Sequence, residues 1–112
     1  MMNRPLVYLA SPYSHSDPFI RNMRAIQATQ KAYELMTKGE IVFSPVSYGH
    51  TIAKLGDMPT DWTYWEKTCR AYLNSSHTIK VLMLSGWEES TGVTEELKIA
   101  KELGINIEFI NL

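Results

Sequence analysis

IKVLMLSGWEESTGVTEELKIAKELGINIEFI, residues 79–110, reads as a complete strand–helix–strand unit. Residues 79–84 form an unbroken apolar run apart from Lys80, halted by Ser85-Gly86-Trp87. Such a run fits a strand covered on both faces, as parallel sheets require. A helix opens near Ser90 to Gly92 and Gly104 closes it, before a last strand over 105–110. Two strands joined through a helix lie parallel. Working outward, PLVYLA (5–10) is a second apolar run, stopped by Ser11-Pro12. Asp17 followed by Pro18 is an N-cap and first helical residue. Ala25, Ala28, Ala32, Leu35 and Met36 then carry a helical stripe up to Gly39. A short strand over 41–43 ends at Ser44-Pro45. Residues 44–60, with Gly49, Gly56 and Pro59 and little periodicity, are expected to form a long loop. From Thr60 or Asp61 onward, Trp62, Trp65, Cys69, Tyr72 and Leu73 share one helical face.

The order β-α-β-α-β-α-β with short connections places the chain in the α/β class. The expectation is a single three-layer α/β/α domain over residues 1–112, with a parallel sheet of four or five strands, flavodoxin-like or Rossmann-like in arrangement. Its 112 residues are enough for one hydrophobic core. No repeat, linker or low-complexity tract interrupts it.

Bulk charge narrows the partners. The net charge of −1 offers no basic field for a nucleic-acid backbone, so the expected ligand is a small nucleotide or nucleoside and not polymeric DNA or RNA. The longest apolar run is far too short to span a bilayer, so no membrane is expected. Cys69 is the only cysteine, which excludes an intrachain disulfide and any cysteine-based metal cluster. MMNRPLVYLASPYSH reads as the approach to a first strand and not as a signal peptide, making the cytoplasm the expected compartment. His15, His50 and His77 lack metal-ligand spacing, so neither a metal nor a cofactor is expected.

In open α/β sheets, ligands bind beyond the carboxyl ends of the strands. Here those ends are residues 11–14, 44–45 with the segment after them, and 85–92, all rich in hydroxyls, glycine or aromatic rings. At about 100° per residue, Val93, Leu97, Ala100, Ile99 and Leu103 define an apolar arc on the third helix. Glu96 falls inside that arc, while Glu95 and Glu102 point away. An inward carboxylate is costly unless paired. It is either held in a structural ion pair or cap, or it is a general acid, base or nucleophile in a partly dry pocket. Ser90, Thr91 and Gly92 just before it supply a hydroxyl, free amides and the positive end of the helix, a site suited to phosphate as well as a plain helix cap. Ser11 and Ser14 are turn residues or donors to a phosphate or sugar. Tyr13 lies just past a strand end, where it can touch a ligand, and Trp87 is the candidate wall for base stacking. Arg21 and Arg24 suit a solvated helix face. Trp62, Trp65 and Tyr72 suit a core or a subunit interface, and Cys69 suits the packed face.

VYLASPYSH, VFSP and above all LSGWEESTGVTEELKIAKELG resemble the nucleoside 2-deoxyribosyltransferase-like superfamily, most nearly its small bacterial and phage DUF1937 and DUF4406 domains. The resemblance covers nearly the whole chain and is most specific at S-x-G-V-x-x-E-x-x-x-A. It implies cleavage or exchange of the N-glycosidic bond of 2-deoxynucleosides or their 5′-monophosphates. It implies a nucleophilic role for Glu96, a 5′-phosphate contact for Ser90, a catalytic position for Tyr8 and a substrate-binding turn at Ser11. It also implies a homo-oligomer, a dimer or larger, because these enzymes commonly complete their pocket with a neighbouring subunit. One position departs from the pattern. The family's aspartate on the preceding helix falls on Cys69 or Tyr72, neither of which is an ordinary acid at neutral pH, with Glu66 and Asp61 as possible stand-ins. The expected function is therefore N-glycosidic cleavage or base exchange on a nucleoside 5′-monophosphate or related nucleotide. The rivals are a non-catalytic nucleotide-binding module and a glycohydrolase of the NAD or ADP-ribose type.

Overall fold

The computed structural model describes residues 4–112. Strand β1 (Leu6–Ala10) is followed by helix α1 (Pro18–Thr37), strand β2 (Val42–Phe43), helix α2 (Pro45–Ala53), helix α3 (Trp62–Asn74) and strand β3 (Ser76–Leu82). A single 3-10 turn (Trp87–Glu89), helix α4 (Thr91–Leu103) and strand β4 (Asn106–Ile110) complete the chain. All strand pairings are parallel, in the order β2-β1-β3-β4, giving the four-stranded form of the expected sheet.

That order places the site. From β1 the sheet grows first to β2 and then, on the other side, to β3, so the connections leave toward opposite faces. The side chains of β1 alternate accordingly. Leu9 joins Leu35 of α1 with Leu82 and Leu84 on one face. Tyr8 and Ala10 join Cys69 and Leu73 of α3 and Val93, Ile99 and Ala100 of α4 on the other. The result is three layers, with a crevice at the carboxyl ends of β1 and β3 where the connections diverge. Among the described residues, no helix is long and apolar enough to cross a membrane.

The segment expected to be one long loop contains α2. Its start carries the Ser-Pro signature of a helix: the Ser44 hydroxyl accepts from the Ser47 amide at 3.1 Å, and Pro45 takes the first turn. Gly49 in its middle disguised it. A Cβ there would lie 3.4 Å from the Trp65 ring, so the glycine lets α2 approach α3 closely. Two smaller corrections follow from packing. Strand β3 starts at Ser76, three residues before its apolar run, because Ser76 and Thr78 already pair with Leu6 and Val7 of β1. Met36 lies outside the buried stripe of α1, 55% exposed, since Ala25, Ala28, Lys31 and Leu35 already fill the sheet-facing side.

Candidate functional site

Glu96 is the buried carboxyl the helix pattern pointed to, with 4% of its surface exposed. It forms no ion pair among the described residues. One oxygen, Oε2, accepts a short hydrogen bond from the Tyr8 hydroxyl, which rises from the middle of β1. Burial pushes the Glu96 carboxyl up to about 8, against the smaller downward pull of Tyr8. Burial first, then the nearby Glu96, holds the Tyr8 phenol well above its ordinary value. Cys69 of α3 stands beside them, its thiol raised by burial and by Glu96 to about 12. Strand β1 and helices α3 and α4 thus bring a phenol and a thiol together around one carboxyl.

A cavity of about 430 Å³ opens next to Glu96, within the range of small-molecule sites. Ser11 is buried in its wall, and its hydroxyl oxygen has no hydrogen-bond partner. A buried hydroxyl without a partner is unusual in a folded protein. At the opening of α4, the Ser90 hydroxyl accepts from the Val93 amide at 3.3 Å and keeps its own proton to donate. The amides of Thr91 and Gly92 have no acceptor among the described residues, as the first turn of a helix leaves them. A Cβ on Gly92 would meet only the Ser90 hydroxyl, at 3.9 Å, so the glycine faces open space.

Of the residues expected to meet a ligand, Ser11, Tyr13, Ser14, Ser90, Gly92 and Glu96 line this one cavity. Tyr8 stands behind Glu96, bonded to it, and is not itself part of the cavity wall. Trp87 is placed elsewhere. Its ring packs on Phe109 of β4, with centroids 5.5 Å apart, and is not part of the cavity wall, because the 3-10 turn carries it over the sheet edge. The aromatic walls are instead Trp62 and Trp65, assigned from sequence to a core or interface. Asp61, a possible stand-in for the family's aspartate, lines the cavity, as does His50, which was not singled out as a ligand contact. Nothing in the sequence marked His50, because it falls in the segment read as loop. At the family's aspartate position, Cys69 faces the cavity whereas Tyr72 stacks on Phe43 at 3.7 Å. Glu66 pairs with Arg70 on the surface at 3.0 Å and is no substitute.

Arg24 of α1 ties the rim together. It donates to the carbonyls of Ser14 at 2.9 Å and Ser85 at 3.0 Å, joining the turns after β1 and β3. Gly86 permits this, with φ of 87° and room only for hydrogen: a Cβ would sit 2.7 Å from an Arg24 nitrogen. Gly86→Ala is expected to destabilise the fold by about 1–3 kcal/mol through left-handed strain and loss of this clasp. Urea denaturation measures it, and an unchanged midpoint would contradict the clasp.

No curated protein matches the chain. The model of the family described as domain of unknown function DUF1937 matches residues 5–111. That span takes in all four strands, all four helices and every cavity residue. The chain belongs to the DUF1937 family.

Proposed function

We propose that this protein cleaves or exchanges the N-glycosidic bond of a nucleoside 5′-monophosphate or related nucleotide, with Glu96 as nucleophile. The observation that carries the reading is a buried carboxyl without a cationic partner, held by one tyrosine and open to a ligand-sized cavity. Tyr8 engages Oε2, which leaves Oε1 to attack the anomeric carbon. The bond from that carbon to the base breaks with its electron pair leaving on the base, which takes up a proton from solvent in the open cavity, and a glycosyl ester forms on Glu96. Water or a second base then releases the sugar. Positive charge developing on the sugar favours the ionised carboxyl and offsets the cost of its burial.

The phosphate belongs at the mouth of α4, where the Thr91 and Gly92 amides and the Ser90 hydroxyl stand beside the cavity that Ser11 also lines. Trp62 and Trp65 offer faces for the base. The likeness to the nucleoside 2-deoxyribosyltransferase-like superfamily supports the same chemistry. Exposed Phe19, Met23, Ile26 and Tyr33 along α1 support assembly into a homo-oligomer, and a free buried thiol suits the reducing cytoplasm. Neither a metal nor a cofactor enters the reaction.

Cys69 favours a second reading, a nucleotide-binding module without turnover, since a thiol raised to about 12 protonates no leaving base at neutral pH. Incubation with deoxy- and ribonucleoside 5′-monophosphates and with NAD, followed by chromatography, separates the two. Free base is expected. Tight binding with the nucleotide recovered intact selects the binding module, and neither binding nor cleavage contradicts both.

A further inference from the structure

The α1–α2 side of the cavity carries a second polar chain that the chemistry assigned to Glu96 does not use. The Tyr13 hydroxyl donates to His50 Nδ1 at 2.6 Å, and His50 Nε2 donates to Asn22 Oδ1 at 3.2 Å. The three residues come from separate elements: the turn after β1, helix α2 and helix α1. Tyr13 and His50 line the same cavity as Glu96, and Asn22 stands behind them.

Each hydrogen bond has a direction set by chemistry. An asparagine Oδ1 only accepts, so the imidazole carries its proton on Nε2 and presents a bare Nδ1 to the phenol. Burial, with the cations Lys54 and Arg21, keeps His50 below its ordinary value, so the ring is neutral. Burial holds Tyr13 above its ordinary value against the opposing pull of Arg21, so the phenol has a proton to pass on. The hydrogen bonds thus run one way, from the cavity wall through His50 to Asn22, and that geometry is the path open to a proton.

The geometry points to Tyr13 and His50 as the general base that activates the water releasing the sugar from Glu96, with Asn22 as positioning residue. This inference rests on the nucleophilic role of Glu96 set out above. In the step, the water oxygen bonds to the anomeric carbon and the bond to Glu96 breaks, its electron pair returning to the carboxylate. The water proton passes to the Tyr13 oxygen while the Tyr13 proton passes to His50 Nδ1. The imidazolium formed keeps its Nε2 proton on Asn22 and later loses the other to solvent.

The test uses Tyr13→Phe and His50→Gln in rapid-quench assays, with the nucleoside 5′-monophosphate that the wild type cleaves best. The first equivalent of base per site is expected at the wild-type rate within about threefold, followed by steady-state turnover slowed roughly 10²–10⁴-fold. Sodium azide, an anion that attacks without giving up a proton, is expected to restore turnover of both variants and yield the glycosyl azide. Equal slowing of both phases without azide rescue overturns the relay, as does unchanged turnover in both variants. Failure of the wild type to release base from any nucleotide overturns the nucleophilic reading of Glu96 and the relay with it. Base release by the wild type with unaffected variants overturns the relay alone.

Discussion

Glu96→Gln is expected to lower base release by roughly 10³–10⁶-fold, as loss of a covalent nucleophile does, while making the protein more stable in alkali. Both effects have one cause. The folded chain holds the Glu96 carboxyl up to about 8, mainly by burial. An unfolded glutamate titrates near ~4.3. Between those values the folded chain retains a proton that the unfolded chain has lost. Stability from this group is therefore fully present below the unfolded value and falls as pH rises through the window. It is gone once the pH has passed the folded value. Glutamine keeps the shape, still accepts from Tyr8, and does not titrate. Thermal melts of the two proteins should differ least near pH 4, below the unfolded value. Near pH 9 the variant should be the more stable by roughly 3–5 kcal/mol, above about 10 °C in melting temperature for a chain of this size. Coincident melts at pH 9 would mean that the wild-type carboxyl ionises freely and is not confined as described.

Gly92→Asp should separate folding from ligand binding at the mouth of α4. The residue has no positive φ to preserve, and a Cβ meets only the Ser90 hydroxyl, at 3.9 Å. The new carboxylate lies in the first turn, where the helix dipole favours negative charge by about 0.3–1 kcal/mol. The unliganded protein is therefore expected to melt at the wild-type temperature or slightly above it. The same carboxylate occupies the place assigned to phosphate. It should weaken binding of a nucleoside 5′-monophosphate by roughly 100-fold or more, with a smaller effect on the corresponding nucleoside. Thermal-shift titrations with each ligand measure both effects. Undiminished nucleotide binding would place the anion elsewhere in the cavity.

The sequence made most of the fold legible because its strongest signals are long and locally consistent. Continuous apolar runs could only be strands buried on both faces, and Asp17-Pro18 and Ser90 marked helix starts that the structure uses as caps. The inward direction of Glu96 followed from helical periodicity alone. What failed had physical reasons. Helix α2 spans nine residues, too short for a clear period, and Gly49 is there for contact with Trp65, not for a turn. Trp87 sits in sequence beside the helix mouth, but the 3-10 turn rotates it onto Phe109. The hydrogen bond from Tyr8 to Glu96 spans 88 positions, and that from Tyr13 to His50 spans 37. Only the sheet order brings such pairs together, and no local pattern encodes them.

The nucleophilic role of Glu96 can be tested by trapping. A 2-fluoro-sugar nucleoside 5′-monophosphate destabilises the charged transition states of both half-reactions, so with a reactive leaving base the glycosyl ester accumulates. Intact-protein mass spectrometry after incubation should show one added fluoro-sugar phosphate per chain, mapped by peptide fragmentation to Glu96 and absent from Glu96→Gln. Release of base with no adduct, or with the label on another residue, would contradict the account.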